Sequence, residues 1–209
     1  FFTVMFAALE TLDGRFRFNP TIFQTEWSNI QFLDVVVFSG NPVALTANSG
    51  DARIRGLELE TQFAATDQLT FQGTFSYLDA GYTRIVPSIR TQWHNGFNPI
   101  NPGPPTHFIQ NVLLTTPLVR APEIKFTLGA HYNLPLAGGD EINANVDYSW
   151  TDEQLPISNN ETPLLPSVGL LNARVSYTSP DDVWSVGLFG TNLTNEYFLV
   201  GAVDFAGGW

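Results

Sequence analysis

Three histidines and a few paired acids are the first places to look for chemistry in this sequence. His94 and His107 stand thirteen residues apart, beside Trp93, Phe97 and Phe108, in a stretch broken by Pro99, Pro102, Pro104 and Pro105. Imidazole groups of this kind can ligate iron or haem. Thirteen residues of proline-rich chain is not ligand spacing, so loop packing or contact with an aromatic or iron-bearing ligand is expected and no metal site is assigned. Asp152-Glu153 and Asp181-Asp182 could be imagined as general acid and base, yet they sit at a strand end and in a proline turn, where solvated charge is the ordinary reading. There is no nucleophile elbow, no glycine-rich phosphate loop and no HExxH, and His94, His107 and His131 have no evident serine partner. Catalysis is not expected, and no cofactor is implied.

The elements that carry these residues follow from composition. Of 209 residues only 14% are charged, against roughly 25% in soluble domains, while 13% are aromatic, 17 of them Phe. No run approaches the ~18 consecutive apolar residues of a membrane-spanning helix. A closed sheet, whose strands need one greasy face only, is the remaining way across a bilayer and gives the neutral mean hydropathy of +0.00. The net charge of −11 excludes nucleic acid as a partner. The absence of Cys excludes a disulfide framework and a thiolate metal site.

Hydrophobicity has a period of two. Ile124, Phe126, Leu128, Ala130, Tyr132 and Leu134 alternate with Lys125, Thr127, Gly129, His131 and Asn133. Ile142, Ala144, Val146, Tyr148 and Trp150 alternate with Glu141, Asn143, Asn145, Asp147 and Ser149. The same pattern runs from Leu69 to Tyr77 and from Leu171 to Tyr177, in segments of about ten residues, as a tilted transmembrane strand requires. Weaker strands are expected around Phe16–Ile22, Leu57–Phe63, 183–191 and 1–9. Pro20, which lacks a ladder donor, marks a bulge or an edge. Tight turns at 12–15, 66–68, 137–140 and 179–182 alternate with long links at about 38–51, 80–121 and 153–166. All long links then emerge at one rim, as extracellular loops do in outer-membrane barrels. A soluble β-sandwich also alternates, but Tyr77, Tyr132, Tyr148, Trp150, Tyr177 and Trp184 on the apolar faces suit a headgroup girdle better.

The motifs in these strands resemble a family. Ala52-Arg53-Ile54-Arg55-Gly56-Leu57-Glu58-Leu59-Glu60 followed by Leu69-Thr70 and Tyr77-Leu78-Asp79-Ala80-Gly81-Tyr82 is similar to a hairpin of the TonB-dependent outer-membrane receptors. Arg120-Ala121-Pro122-Glu123, Leu171-Asn172-Ala173-Arg174-Val175-Ser176-Tyr177 and Asn192-Leu193-Thr194-Asn195-Glu196-Tyr197 resemble the elements that follow in those receptors. The resemblance implies an all-β, antiparallel up-and-down transmembrane β-barrel segment, about eight strands of a barrel that has twenty-two in the family. Residues 1–209 would form its C-terminal part, without the plug domain and the final strand.

The resemblance also implies a function: an outer-membrane transporter importing a scarce nutrient, most simply a ferric siderophore, driven by TonB through a plug domain absent from this chain. Its other partner is outer-membrane lipid. Trp93, His94, Phe97, His107 and Phe108 become candidates for ligand contact. Lys125, His131, Asn143, Asn145, Asp147, Asn172 and Arg174 become a polar wall facing the lumen and plug. The alternative is a complete small eight-stranded outer-membrane barrel with a structural or adhesive role, in which the first and last strands would pair.

Overall fold

Alternation of apolar and polar residues satisfies one greasy and one polar environment only if neighbouring strands keep phase, and the sheet keeps it across seven interfaces. A computed structural model of the chain describes residues 2–38, 41–85, 112–157 and 163–201. These form nine strands, β1 (Phe2–Phe6), β2 (Leu9–Thr11), β3 (Phe16–Phe38), β4 (Asn41–Ala64), β5 (Leu69–Ile85), β6 (Ile124–Pro135), β7 (Glu141–Thr151), β8 (Val168–Thr178) and β9 (Ser185–Gly190). They make one antiparallel meander in the order β1-β3-β4-β5-β6-β7-β8-β9, with β2 also paired to β3. β1 and β9 stand at opposite ends of that order, so the sheet is open and the closed eight-stranded barrel is not what forms.

The register assigns each residue to a face. Phe63, Phe71, Ala130, Val146 and Ala173 stand opposite one another in a row across five strands. The adjacent row is Gln62, Gln72, Gly129, Asp147 and Asn172, pointing to the other face. Phe71, Leu128, Val146 and Val175 are accordingly exposed on the apolar face. Aromatic rings mark its two edges. Tyr177 and Trp184 lie 5.3 Å apart beside the short turns, and Phe126 stacks on Trp150 at 6.5 Å toward the other end.

Nine strands appear where eight were expected because Pro20 interrupts its neighbour. In an antiparallel ladder a residue's N–H and C=O point to the same partner. Ala7 donates to the Pro20 carbonyl at 3.0 Å, but Pro20 has no N–H to return the bond, and pairing lapses between β1 and β2. The register on the two sides is continuous, Phe6 opposite Thr21 and Leu9 opposite Phe18, so this is a gap and not a bulge.

The expected link at 38–51 is a correction. β3 and β4 pair as far as Phe38 opposite Asn41, so the described residues of this segment are strand. β5 likewise continues to Ile85. The extension reverses the polarity of the sheet. Beyond Gly56 the apolar face carries Gln24, Arg55 and Asp79, then Glu26 and Arg53, while the polar face carries Ile54, Leu78, Ala80 and Tyr82. The reason is a different neighbour: Ile30, Ala52, Tyr82 and Leu118 are buried together, with Ile54, Ala80, Ile85, Val112 and Ala121 against them. Burial of side chains of this size contributes about 1.5–3 kcal/mol each. The chain after the long connection thus covers the inner side of the extension, and the outer side is left to water.

Gly56 sits where the polarity turns. A Cβ there would strike the Phe23 ring and approach the Tyr77 carbonyl oxygen to 2.8 Å. Gly56→Val is expected to destabilise the folded protein by about 1–3 kcal/mol through overpacking. Gly73→Ala, which meets a Thr61 methyl at 3.1 Å, a Leu128 methyl at 3.4 Å and the Thr127 carbonyl oxygen at 3.8 Å, should cost less. Denaturant unfolding of the two variants in lipid vesicles ranks them, and equal midpoints would remove the packing argument.

Candidate functional site

The polar face of β6–β8 brings the predicted side chains into register. His131, Asn145 and Arg174 form one row across three strands, and Asp147 faces Asn172 two residues farther along. His131 Nδ1 and Asn145 Oδ1 are 2.6 Å apart. Asn172 donates to Asp147 Oδ2 at 2.7 Å and accepts from the backbone N–H of Asn192 at 3.0 Å, a relay that ties the segment after β9 to β7. Asn192 can serve there because its φ of +50° turns the chain, a conformation Asn tolerates. It also exchanges hydrogen bonds with Glu196, donating from Nδ2 at 2.9 Å and accepting at Oδ1 at 2.8 Å. Glu141 accepts from Asn143 at 2.8 Å and from Asn133 at 3.3 Å. Lys125 lies opposite Ser76 and Thr151. Among the described residues neither Lys125 nor Arg174 has a carboxylate within 4.0 Å.

Such a wall offers hydrogen bonds and two unneutralised cations, not a reaction centre. Among the described residues no three His, Asp or Glu side chains are grouped to hold a metal ion. The wall is also wider than the set drawn from β6–β8. Arg17, Asn19, Glu60, Gln62, Gln72 and Thr74 continue it over β3–β5 and line a groove of about 400 Å³. The phase of Glu58, Glu60 and Gln62 against Leu57, Leu59 and Phe63 is the signal in the sequence that identifies these positions.

The loop candidates Trp93, His94, Phe97, His107 and Phe108 lie outside the described residues. The chain on both sides of them is anchored. Asp51, opposite the end of β5, accepts two bonds from Arg84, at 2.5 and 3.0 Å, and one from the N–H of Asn29 at 2.9 Å. The Arg84 guanidinium, and after it the Asn29 N–H, hold the Asp51 carboxyl below its usual range. This clamp fixes the register shift between Trp27 and Ile30, where Asn29 has a φ of +57°. On the return side Pro117 bridges Gly81, Val119 bridges Leu155, and Gln154 bridges Leu165. Leu118, Leu155 and Leu165 are buried. Arg120 donates its N–H to Leu155 O at 3.0 Å and its Nη2 to Val200 O at 3.1 Å. The β5–β6 connection, the β7–β8 connection and the segment after β9 are therefore stitched to one another and to the end of β5. The 120–123 run enters β6 directly, with Leu78 N–H bonded to Glu123 O at 2.8 Å.

Comparison with known proteins agrees with this architecture. A family model described as TonB dependent receptor-like, β-barrel matches residues 7–193. No curated protein matches the sequence. Among solved structures, the ferric yersiniabactin uptake receptor FyuA from Yersinia pestis superposes with a TM-score of 0.70 at 10% identity, over 98% of this chain and 26% of that one. The siderophore receptor PiuA from Acinetobacter baumannii gives 0.64 at 20% identity, over 94% and 24%. The ferric preacinetobactin receptor BauA from the same organism gives 0.59 at 18% identity, over 94% and 26%. At these identities the likeness is one of fold, and the chain spans about a quarter of each structure.

Proposed function

Because the chain belongs to the TonB-dependent receptor β-barrel family, we propose that it is the C-terminal barrel segment of an outer-membrane active transporter for a ferric siderophore. The observation that carries this reading is the family match over residues 7–193, and the likeness of the fold to three siderophore receptors supports it. Barrels of this family are transport receptors of the Gram-negative outer membrane and not enzymes.

In the proposed mechanism the greasy face of β3–β8 meets lipid and the polar face meets the plug. Lys125, His131, Asn143, Asn145, Asp147, Asn172 and Arg174 hold the plug by hydrogen bonds and ion pairs, interactions that strengthen where water is excluded. The ligand is captured at the rim, with Trp93, His94, Phe97, His107 and Phe108 on the connection between β5 and β6 supplying aromatic and imidazole contacts. TonB then draws on the plug, using the proton gradient of the inner membrane, and the cargo passes along the polar wall. No bond is made or broken by the protein.

The test is uptake of radiolabelled iron, as a panel of ferric siderophores, by iron-starved cells with and without the gene. Expression should rise under starvation, and at least one siderophore should lose uptake when the gene or the proton gradient is removed. Expression that ignores iron but rises on a sugar polymer would transfer the assignment to carbohydrate import.

A further inference from the structure

β9 ends at Gly190, and the chain that follows starts out along the polar side of the sheet. The Leu193 N–H bonds to Leu171 O at 2.8 Å, and Asn192 is held by Asn172 on one side and Glu196 on the other. Beyond Glu196 the support thins. From Tyr197 to Gly201 the segment belongs to no strand, and its one hydrogen bond among the described residues runs from Arg120 Nη2 to Val200 O at 3.1 Å. Tyr197 is 90% exposed and Val200 77%, so packing holds it little more than hydrogen bonding does.

Arg120 stands eighty positions earlier in the chain, on the return side of the long connection from β5. Its own place is fixed. Its backbone N–H bonds to Leu155 O, Leu118 two residues before it is buried, and Glu123 three residues after it accepts from the Leu78 N–H. The backbone of Arg120 has a φ of +57°, a left-handed conformation that Gly or Asn adopts at less cost than Arg. What Arg supplies there is reach. Among the described residues no carboxylate lies within 4.0 Å of the guanidinium, so no ion pair draws it from the Val200 carbonyl. A charged donor on that carbonyl also makes a stronger bond than a neutral one.

We propose that Arg120 is a positioning residue for ligand capture: it pins 197–201 against the return side of the β5–β6 connection, so that the two segments present one surface at the rim. The proposal rests on the reading of that connection as the ligand-bearing one, and goes beyond it by assigning the side chain that places a second segment, with Tyr197 and Phe198 on it. Two segments already held together bind without the cost of ordering one of them. Loss of the tie frees 197–201 and weakens capture, while the step driven by TonB is unchanged.

The experiment compares Arg120→Asn and Arg120→Lys in the full-length receptor. Asn suits the backbone conformation and removes the tie without strain, whereas Lys keeps a charged donor. Nitroxides at Glu153→Cys and Tyr197→Cys, both exposed, report the distance from the β7–β8 connection to the segment by pulsed electron paramagnetic resonance with no ligand added. One narrow distance is expected with Arg120 or Lys in place, and a broad distribution in Arg120→Asn. In uptake of the panel of ferric siderophores, Arg120→Asn should raise the KM of the transported compound about fivefold at an unchanged maximal rate, and Arg120→Lys should restore most of the loss. Arg15→Gln, which removes a charge in the turn at the opposite end, should leave both readings at their wild-type values. A narrow distance in Arg120→Asn would overturn the tie, and a broad distance with an unchanged KM would overturn the positioning role. Transport of none of the siderophores by the wild type would sink the transport reading and the capture role with it, while the distances would still confirm or refute the tie.

Discussion

Val146→Arg is expected to destabilise the inserted barrel by about 2–4 kcal/mol, the range for an arginine at mid-bilayer on the lipid side. Val146 is 43% exposed, lies between Ala130 and Ala173 in the greasy row, and stands midway along β7. A guanidinium there would have apolar side chains around it and no carboxylate on that face of β6, β7 or β8. The adjacent change Asn145→Arg should cost about 1 kcal/mol, the loss of one hydrogen bond, that to His131. The two are neighbours in one strand, and strand propensity, whose full scale spans about 1 kcal/mol, accounts for only part of the difference. Reversible denaturant unfolding in phospholipid vesicles measures both. Equal losses, or the larger loss at Asn145, would show that the faces are assigned the wrong way round.

Deletion of residues 90–108 is expected to abolish capture of the ligand while leaving the barrel inserted. The deletion falls between two anchored ends, β5 with its Asp51–Arg84 clamp and the 112–121 segment packed on Tyr82 and Ala52. It takes away Trp93, His94, Phe97, His107 and Phe108 together and touches no paired strand among the described residues. Surface labelling of whole cells reports insertion, and uptake of the cognate ferric siderophore reports capture. Uptake at the wild-type rate would remove this connection from the binding site. Loss of insertion would show that the connection supports the fold.

The strands that could be read from the sequence are those with one apolar face over nearly their whole length. In β6 and β7 apolar residues alternate with polar or small ones throughout, and in β8 they do so from Leu171 to Tyr177, so alternation gives the face of each residue there. The β3–β4 extension could not be read in this way. Asn41, Pro42, Asn48, Ser49 and Gly50 have the composition of a loop and do not alternate with apolar residues, so nothing local distinguishes a paired strand from a link. The outward turn of Arg53 and Arg55 and the inward turn of Ile54 and Leu78 were present as a pattern. Their meaning depended on Leu118 and Ala121, which arrive from far along the chain and bury that inner side. The interruption beside Pro20 lay between these cases: a missing donor predicts a local defect, while its form follows from the partner strand. The polar wall was legible as alternation. Its hydrogen bonds, such as the Asp147–Asn172–Asn192 relay, depend on which strands become neighbours.

The change of polarity at Gly56 also makes the segment a gauge of membrane thickness. From Phe63 to Leu57, and from Ile142 to Trp150, the greasy face spans six and eight residue steps, about 20–27 Å along the strands. Tilt shortens its height further, well below the roughly 30 Å of an ordinary hydrocarbon core. The bacterial outer membrane is thinner than average, and there this height is a match. In a thicker bilayer the charged belt of Arg55 and Asp79 would be drawn into hydrocarbon unless the lipid thinned around the protein or copies gathered to share the mismatch, at fractions of a kcal/mol per Å. Arg55 and Asp79 therefore favour one depth for the sheet and bias it toward thin membranes.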